Sequence, residues 1–320
     1  MLIGFAIVLA AIAVAYLAGP RVPVDTTPVF DPASIGDDPD DYLARREMDV
    51  PDIRADHGKE IVWADGATRS RTEYAIVYIH GFSASKHELR PVPDRVAQAV
   101  GANLYFTRLT GHGQNGAAMA DASVNDWIND FAEAMAIGRL IGRRVIVMAT
   151  STGGSLATWA ATRPELAQGL AGLVLVSPNY ELQAAGSTLL TGPWGRQIAE
   201  LATGRERGFE PFNALHARYW TTRYPTAALL PMAAMTKLAR EAPVEEIEIP
   251  ALFIFSDRDG IVSPARTRAI AARWAGPATV VSIDTSGDPF NHVIVGDAVS
   301  PQTNEEVVDA IVAWIGELRQ

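Results

Sequence analysis

The sequence Met148-Ala149-Thr150-Ser151-Thr152-Gly153 lies between a short apolar run and the start of a helical pattern. A serine at such a strand-to-helix turn has a strained backbone, and its hydroxyl is exposed above the edge of the sheet. Two positions before and after it, small residues are needed because the strand and the helix crowd there. Gly153 meets this need, and Ala149 is small although the usual motif has glycine. The stretch therefore predicts Ser151 as a nucleophile.

Two other interpretations of this stretch stay open. Its Ser and Thr residues are also typical helix caps in an ordinary loop between a strand and a helix. Ser155 is a rival nucleophile, because Gly153 and Ala157 flank it at the same offsets. It would lie a full turn into the helix instead of at the bend, so the pattern favours Ser151.

Short apolar runs recur on both sides of this turn, each bounded by Gly, Pro, Asp or Ser. Continuous apolar runs are typical of strands that are covered on both faces, as in a parallel sheet. Because helical patterns alternate with them, we predict an α/β fold with a mostly parallel central sheet flanked by helices. The predicted strands are 74–79, 103–107, 144–148, 172–176, 251–255 and 278–283, and the clearest predicted helices are 88–100, 123–141 and 304–318.

The rest of the chain divides by composition. Residues 2–18 are uninterrupted apolar sequence, so residues 1–18 are predicted to be a single-pass membrane anchor that places the protein at a membrane. A cleaved signal peptide, which would give a secreted or periplasmic protein, and a buried helix are the alternatives. Residues 19–57 are rich in Pro and Asp and predict a linker along the surface, with a short helix near 40–48. The catalytic domain is expected over 58–320, with a helical cap inserted at about 180–246.

Composition excludes several classes of function. The chain has 27 Lys and Arg against 37 Asp and Glu, a net charge of −10, so no basic stripe is available for nucleic acid. It has no cysteine, which excludes disulfides, thiolate metal sites and cysteine nucleophiles. His80, His87 and His112 lack metal-ligand spacing, and the glycine-rich run 111–116 lacks the Lys-Ser/Thr ending of a phosphate loop. We therefore predict neither a metal nor a cofactor.

Three motifs in order give the chain a recognisable resemblance. They are His80-Gly81-Phe82 after an early strand, Gly111-His112-Gly113, and Ala149-Thr150-Ser151-Thr152-Gly153. Together they resemble the α/β-hydrolase superfamily, from about Glu73 to the C-terminus. Within it the chain is similar to bacterial carboxylesterases and the monoacylglycerol-lipase-like branch, where Gly-His-Gly is followed by a helix containing tryptophan, here Trp127. The resemblance implies an α/β-hydrolase fold with a cap, and a serine hydrolase of carboxylic esters.

The resemblance also implies a base and an acid, which follow the nucleophile in the order acid, then histidine. Asp259 matches the family position of the acid, and Asp257 is the alternative, expected to pair with a nearby base or to cap the turn. His292 lies in the loop before the last helix, where the superfamily carries its base. His216 lies in the predicted cap and is expected to pack there or face solvent.

The remaining expectations concern the oxyanion hole and the substrate. By the logic of this fold, its two backbone donors are the N–H groups of Phe82 and Thr152, and His80 supports the Phe82 loop. The cap is rich in aromatic residues and Met, which favours a small-molecule acyl or aromatic ester. A C–C bond hydrolase or an acyltransferase with the same triad is an alternative, and a binding protein on a hydrolase scaffold is a second. An aspartate-nucleophile enzyme is excluded by Ser151.

Overall fold

The computed structural model describes residues 9–10 and 13–318. Its strands are β1 (Glu60–Val62), β2 (Thr72–Ile79), β3 (Asn103–Phe106), β4 (Gly142–Thr150), β5 (Leu170–Val176), β6 (Glu206–Gly208), β7 (Arg223–Pro225), β8 (Ala251–Phe255) and β9 (Ala278–Ser282). Seven of them form one sheet in the order β1-β3-β2-β4-β5-β8-β9. β1 is antiparallel to β3, and the other pairs in this sheet are parallel.

Helices cover both faces of this sheet. They are α1 (Pro39–Met48), α2 (Val92–Val100), α3 (Gly116–Asp121), α4 (Val124–Ile141), α5 (Thr152–Ala161), α6 (Pro164–Ala167), α7 (Gly195–Thr203), α8 (Ala214–Tyr219), α9 (Leu229–Arg240), α10 (Pro264–Arg273) and α11 (Asn304–Glu317). Side chains of α4, α5 and α10 share one hydrophobic cluster with one face of β2, and side chains of α2 and α11 share a second cluster with its other face. Alternate residues of β2 therefore enter different cores, which explains its unbroken apolar sequence. The predicted α/β-hydrolase architecture is confirmed.

Because the strands run parallel, the loops that carry the predicted site residues lie at one edge of the sheet. The loops that follow β2, β4, β8 and β9 begin at the carboxyl ends of neighbouring parallel strands. They carry Phe82, Ser151, Asp259 and His292, respectively. Ligand sites of open α/β sheets lie at this edge because the loops there converge.

Between β5 and β8 the chain leaves the sheet. This segment contains 3₁₀ turns, α7, α8, α9 and the antiparallel pair β6–β7. The sequence predicted a helical insertion without a strand at about 180–246, so the β6–β7 pair is a difference. Each of the two strands has three residues, and all three residues of β6 are exposed. Such a strand has no apolar pattern from which it can be predicted.

Residues before β1 run along the surface of the main domain. The backbone N–H groups of Val29 and Phe30 both donate to Asn129 Oδ1, at 2.8 and 2.9 Å. Further along, the Tyr42 hydroxyl donates to the buried carboxylate of Glu133 at 2.7 Å. A second carboxylate, that of Glu47, pairs with Arg108 at 2.8 Å. Backbone and side-chain groups of this segment thus satisfy polar groups of α4 and of the loop after β3.

The predicted membrane anchor is wrong. Residues 1–8, 11 and 12 of the apolar stretch lie outside the described residues, and within 9–10 and 13–318 no helix is both long and apolar enough to cross a bilayer. The helical backbone of residues 13–17 gives way to a turn before Pro20. There the Trp194 indole N–H donates to Ala15 O at 3.0 Å, and the Trp194 backbone N–H donates to Pro20 O at 2.8 Å. The end of the stretch therefore contacts the segment between β5 and β8.

Candidate active site

Ser151 lies at the turn between β4 and α5. Its backbone has φ 50° and ψ −115°, a left-handed conformation that costs a non-glycine residue free energy. The Ser151 N–H donates to Val176 O at 3.0 Å, which fixes the turn to the next strand. Two residues on, a Cβ atom on Gly153 would lie 2.5 Å from Ile79 O and 2.6 Å from His80 O. Only glycine fits there, because the helix begins against the loop that follows β2.

The structure brings Ser151, His292 and Asp259 together in one hydrogen-bonded chain. His292 Nε2 lies 3.0 Å from Ser151 Oγ, and His292 Nδ1 lies 2.8 Å from Asp259 Oδ2. The other oxygen of Asp259 accepts the N–H groups of Ile261 and Val262, at 2.8 and 2.9 Å. The carboxylate is therefore fixed on one side by backbone, and it presents its free oxygen to the histidine.

The rival residues have other partners. Asp257 forms a bidentate ion pair with Arg268 on the surface. Arg268 Nε donates to Oδ1 at 2.8 Å, and Arg268 Nη2 donates to Oδ2 at 2.5 Å. Ser155 lies in α5, and its hydroxyl donates to Asn179 O in the segment after β5 and forms no hydrogen bond with His292. His216 is buried, stacks on Phe209 and accepts the Phe212 N–H at 3.2 Å through Nδ1. Asp257 and His216 form no hydrogen bond with Ser151, His292 or Asp259, and among these Ser155 bonds only to the backbone oxygen of Ser151.

The two residues predicted to form the oxyanion hole, Phe82 and Thr152, line the same cavity. The backbone N–H groups of Phe82 and Thr152 have no acceptor among the described residues, and both residues line the cavity at Ser151. The loop that carries Phe82 is held by His80, which is fully buried. Its Nδ1 lies 2.8 Å from Gly81 O, and its Nε2 accepts the Leu109 N–H at 3.1 Å. Burial holds the pKa of His80 well below the ordinary value, so it supports the loop as a neutral ring.

The charges around His292 set its protonation. Burial alone would lower its pKa, because burial disfavours the charged ring. The opposing effects are larger in sum: the charge and hydrogen bond of Asp259, and the charges of Asp288 and Glu88, raise the pKa of His292 above its ordinary value. The site therefore stabilises the protonated form of His292.

A cavity of about 930 Å³ opens above Ser151. Its floor contains Ser151, His292 and Phe82, and much of its wall comes from the segment between β5 and β8. The wall is largely apolar, with Leu182, Leu189, Leu190, Ile198, Phe209, Phe212, Trp220, Tyr224, Leu229 and Met232. Cavities of this size and lining bind small molecules with a large apolar part.

A metal centre finds no support in the part of the chain that the structure describes, residues 9–10 and 13–318. No group of three or more His, Asp or Glu side chains there is placed to hold an ion. His80 and His112 lie with ring centroids 4.9 Å apart, but the Nδ1 atom of each is paired with a backbone carbonyl. These histidines therefore serve the loops around them.

A model of the alpha/beta hydrolase family matches residues 76–310, which is most of the chain and includes every residue of the site above. The chain belongs to the alpha/beta hydrolase family. The membership predicted from the three motifs is thereby confirmed.

Relatives of this alpha/beta hydrolase include lipases and esterases. A thermostable monoacylglycerol lipase of Bacillus sp. (strain H-257) is 26% identical over 195 residues, 61% of this chain and 74% of that protein. The solved structure of a metagenome-derived lipolytic enzyme from a study of LipS and LipT has a TM-score of 0.67 and 20% identity, covering 83% of this chain and 99% of that one. A soluble variant of Saccharomyces cerevisiae monoglyceride lipase, in complex with a substrate analogue, has a TM-score of 0.63 and 11% identity, covering 82% and 91%.

Two carboxylates of this alpha/beta hydrolase were missed by the sequence analysis. Asp288 Oδ2 accepts the N–H groups of His292 and Val293, at 3.1 and 2.8 Å, and so shapes the histidine loop. Its position four residues before His292, followed by Pro289, is a turn signal in the sequence. Glu88 is buried beside Gly81. The sequence predicted Glu88 as the first residue of a helix, whereas it ends a 3₁₀ turn and the helix begins at Val92, and nothing in its sequence context marks it as buried.

The raised pKa of His292 gives this hydrolase a defined pH dependence. If His292 is the base that takes the Ser151 proton, it must be neutral to do so, and kcat/KM is expected to fall as pH decreases through its pKa. The carboxylates of Asp259, Asp288 and Glu88 favour the protonated ring. We therefore expect the midpoint of the acid limb to lie above 6.5, the ordinary histidine value. A pH profile of kcat/KM checks this, and a midpoint at or below 6.5 would contradict it.

Proposed function

We propose that the chain is a serine hydrolase of carboxylic esters, of the carboxylesterase or monoacylglycerol-lipase type, which forms an acyl-enzyme on Ser151. The observation that carries the proposal is the hydrogen-bonded chain from Asp259 through His292 to Ser151, which ends in a large apolar cavity. Phe82 and Thr152, whose backbone N–H groups have no acceptor among the described residues, line the same cavity and would supply the donors to an oxyanion.

The reaction follows from these contacts. His292 Nε2 takes the proton of the Ser151 hydroxyl as the oxygen attacks the ester carbonyl. Asp259 holds Nδ1–H and stabilises the imidazolium, and the N–H groups of Phe82 and Thr152 stabilise the negative oxygen. His292 then gives its proton to the leaving alcohol. Water, activated by the same histidine, releases the acid and restores Ser151.

The cavity supports an ester with an apolar acyl or aryl part. Its wall is mainly aliphatic and aromatic, and the net charge of −10 disfavours strongly anionic substrates. The relative from Bacillus is a monoacylglycerol lipase. This agrees with an acyl chain as the occupant of the cavity proposed here. We infer that the segment at about 180–246 acts as a cap that covers the acyl group.

A series of p-nitrophenyl esters tests the proposal. Burying one further methylene contributes about 0.8 kcal/mol, so kcat/KM should rise about fourfold per methylene from acetate towards octanoate. A fluorophosphonate, which reacts with activated serines, should label the protein once, and mass spectrometry should find the label on the peptide that contains Ser151. Absence of turnover with labelling intact would favour the C–C hydrolase or acyltransferase alternative. A maximum at acetate would contradict the apolar acyl pocket.

A further inference from the structure

Glu88 has a buried carboxyl group at the cavity, and the proposed reaction does not use this group. It is buried, yet it lines the same cavity as Ser151. Its Oε2 atom accepts the Gly81 N–H at 2.7 Å and the Tyr78 hydroxyl at 3.0 Å. No partner of its Oε1 atom is found among the described residues. Both hydrogen bonds therefore converge on one oxygen.

The first of these bonds fixes the loop that carries an oxyanion donor. Gly81 directly precedes Phe82, so the orientation of Gly81 decides where the Phe82 N–H points. A Cβ atom on Gly81 would lie 2.8 Å from Glu88 Oε1 and 3.2 Å from Ser151 Cβ. Gly81 is thus enclosed between the glutamate and the serine, and the Glu88 bond holds it there.

The second bond ties the glutamate to the strand that carries the serine. The Tyr78 hydroxyl lies 3.3 Å from Thr150 Oγ1, on the residue just before Ser151. Gly81, Glu88, Tyr78 and Thr150 form one buried chain of hydrogen bonds, which we call the brace. The brace links the oxyanion loop to β4, so it sets the distance between the donor and the nucleophile.

The backbone of Glu88 is itself fixed on two sides. Its N–H donates to Ser85 O at 2.9 Å in a 3₁₀ turn. Its carbonyl oxygen packs against Gly296, where a Cβ atom would lie 2.3 Å away. Gly296 follows His292 in the same loop. The side chain therefore starts from a rigid point between the oxyanion loop and the histidine loop.

We propose that Glu88 is a positioning residue that acts through the brace to hold the Phe82 N–H at the oxyanion. The inference rests on the proposed ester hydrolysis. Glu88 does not need to touch the substrate for this role, because the donor that it positions does so. Loss of one oxyanion donor lowers kcat about 100- to 1000-fold, which sets the upper limit for a residue that acts through that donor.

A neutral side chain of the same shape can fill this role. Burial raises the pKa of Glu88 to about 7, against the lowering effects of Gly81, Tyr78 and His292. The brace uses only one carboxyl oxygen, so the amide oxygen of glutamine can accept both hydrogen bonds. Its NH₂ group would replace the oxygen that has no partner. Methionine has a similar size but offers no comparable acceptor, which leaves the Gly81 N–H buried and unpaired.

Glu88→Gln and Glu88→Met are therefore a matched pair for the test. In Glu88→Met, we expect kcat for the best p-nitrophenyl ester to fall about 10- to 100-fold with KM changed less than threefold. In Glu88→Gln, kcat should stay within about threefold of the wild type. The inference is overturned if Glu88→Met keeps its kcat, or if Glu88→Gln loses as much as Glu88→Met. Circular dichroism and thermal melting establish that both variants fold.

The Tyr78→Phe variant and the rate of fluorophosphonate labelling test the inference further. If Glu88→Met does not fold, Tyr78→Phe is used instead, because it removes the hydrogen bonds of Tyr78 to Glu88 and Thr150. A fall in kcat at constant KM supports the role of Glu88. An unchanged kcat overturns it. The rate of fluorophosphonate labelling needs the oxyanion hole but no ester. A wild type that is labelled but does not hydrolyse esters would refute the proposed function alone, and Glu88 would then be judged on the labelling rates. A wild type that shows neither reaction would refute both proposals.

Discussion

Ser151→Ala is expected to lower kcat for ester hydrolysis by about a million-fold, because it removes the attacking oxygen. The remaining rate would come from the oxyanion donors and the binding cavity alone. The fold should survive, since the Ser151 backbone makes the bonds that fix the turn and alanine keeps its N–H and C=O groups. Initial rates with p-nitrophenyl esters, at an enzyme concentration high enough to detect slow turnover, measure the loss.

Ser155→Ala is the matched control for this variant. Ser155 lies four residues further on and has small residues at the same offsets. Its hydroxyl donates to Asn179 O in the interior of the protein. Its kcat should remain within about twofold of the wild type, with a modest loss of stability from the unpaired carbonyl. Turnover that survives in Ser151→Ala and disappears in Ser155→Ala would move the nucleophile to the rival serine.

Patterns of apolar residues predicted the sheet because its central strands are buried on both faces. The predicted strand at 251–255 coincides with β8, and the run at 172–176 falls within β5. A strand in the middle of a parallel sheet needs apolar residues at every position, which makes it visible in a single sequence. β1 and β6 have three residues each and are partly or fully exposed, so they carry no such pattern.

The candidate site was predicted where a short motif has a specific steric cause. Glycine is required at position 153 because the backbone at the end of β2 leaves no room for a Cβ atom, and the strained Ser151 two residues earlier marks the turn. The roles of Glu88 and Asp288 were not predicted, because each depends on which backbone N–H groups meet the carboxylate after folding. A charged residue whose burial is compensated by such bonds looks in sequence like a surface residue.

For the apolar N-terminal stretch, the sequence predicted a feature that the structure contradicts. Its hydropathy predicted an anchor, whereas no helix within residues 9–10 and 13–318 meets the requirement for a bilayer span. The described part of this stretch makes tertiary contacts at Trp194. Hydropathy alone does not distinguish a segment that a bilayer covers from one that another part of the protein contacts.

Asp259→Asn is expected to lower kcat about 10⁴-fold near neutral pH, through the tautomer of His292. Asp259 Oδ1 accepts two backbone N–H groups, so the amide oxygen should occupy that position. The NH₂ group then faces His292 Nδ1 and donates to it. The ring proton is forced onto Nε2, which can no longer accept the proton of Ser151.

This variant should also change the pH profile. Without the charge and the hydrogen bond of Asp259, the pKa of His292 falls, so the residual acid limb moves to lower pH. Asp257→Asn is the control, because Asp257 is exposed, lies two residues away and pairs with Arg268. It should keep kcat and the acid limb of the wild type. A loss in Asp257→Asn with activity retained in Asp259→Asn would reverse the assignment of the acid. Equal activity in both variants would remove the carboxylate from the mechanism.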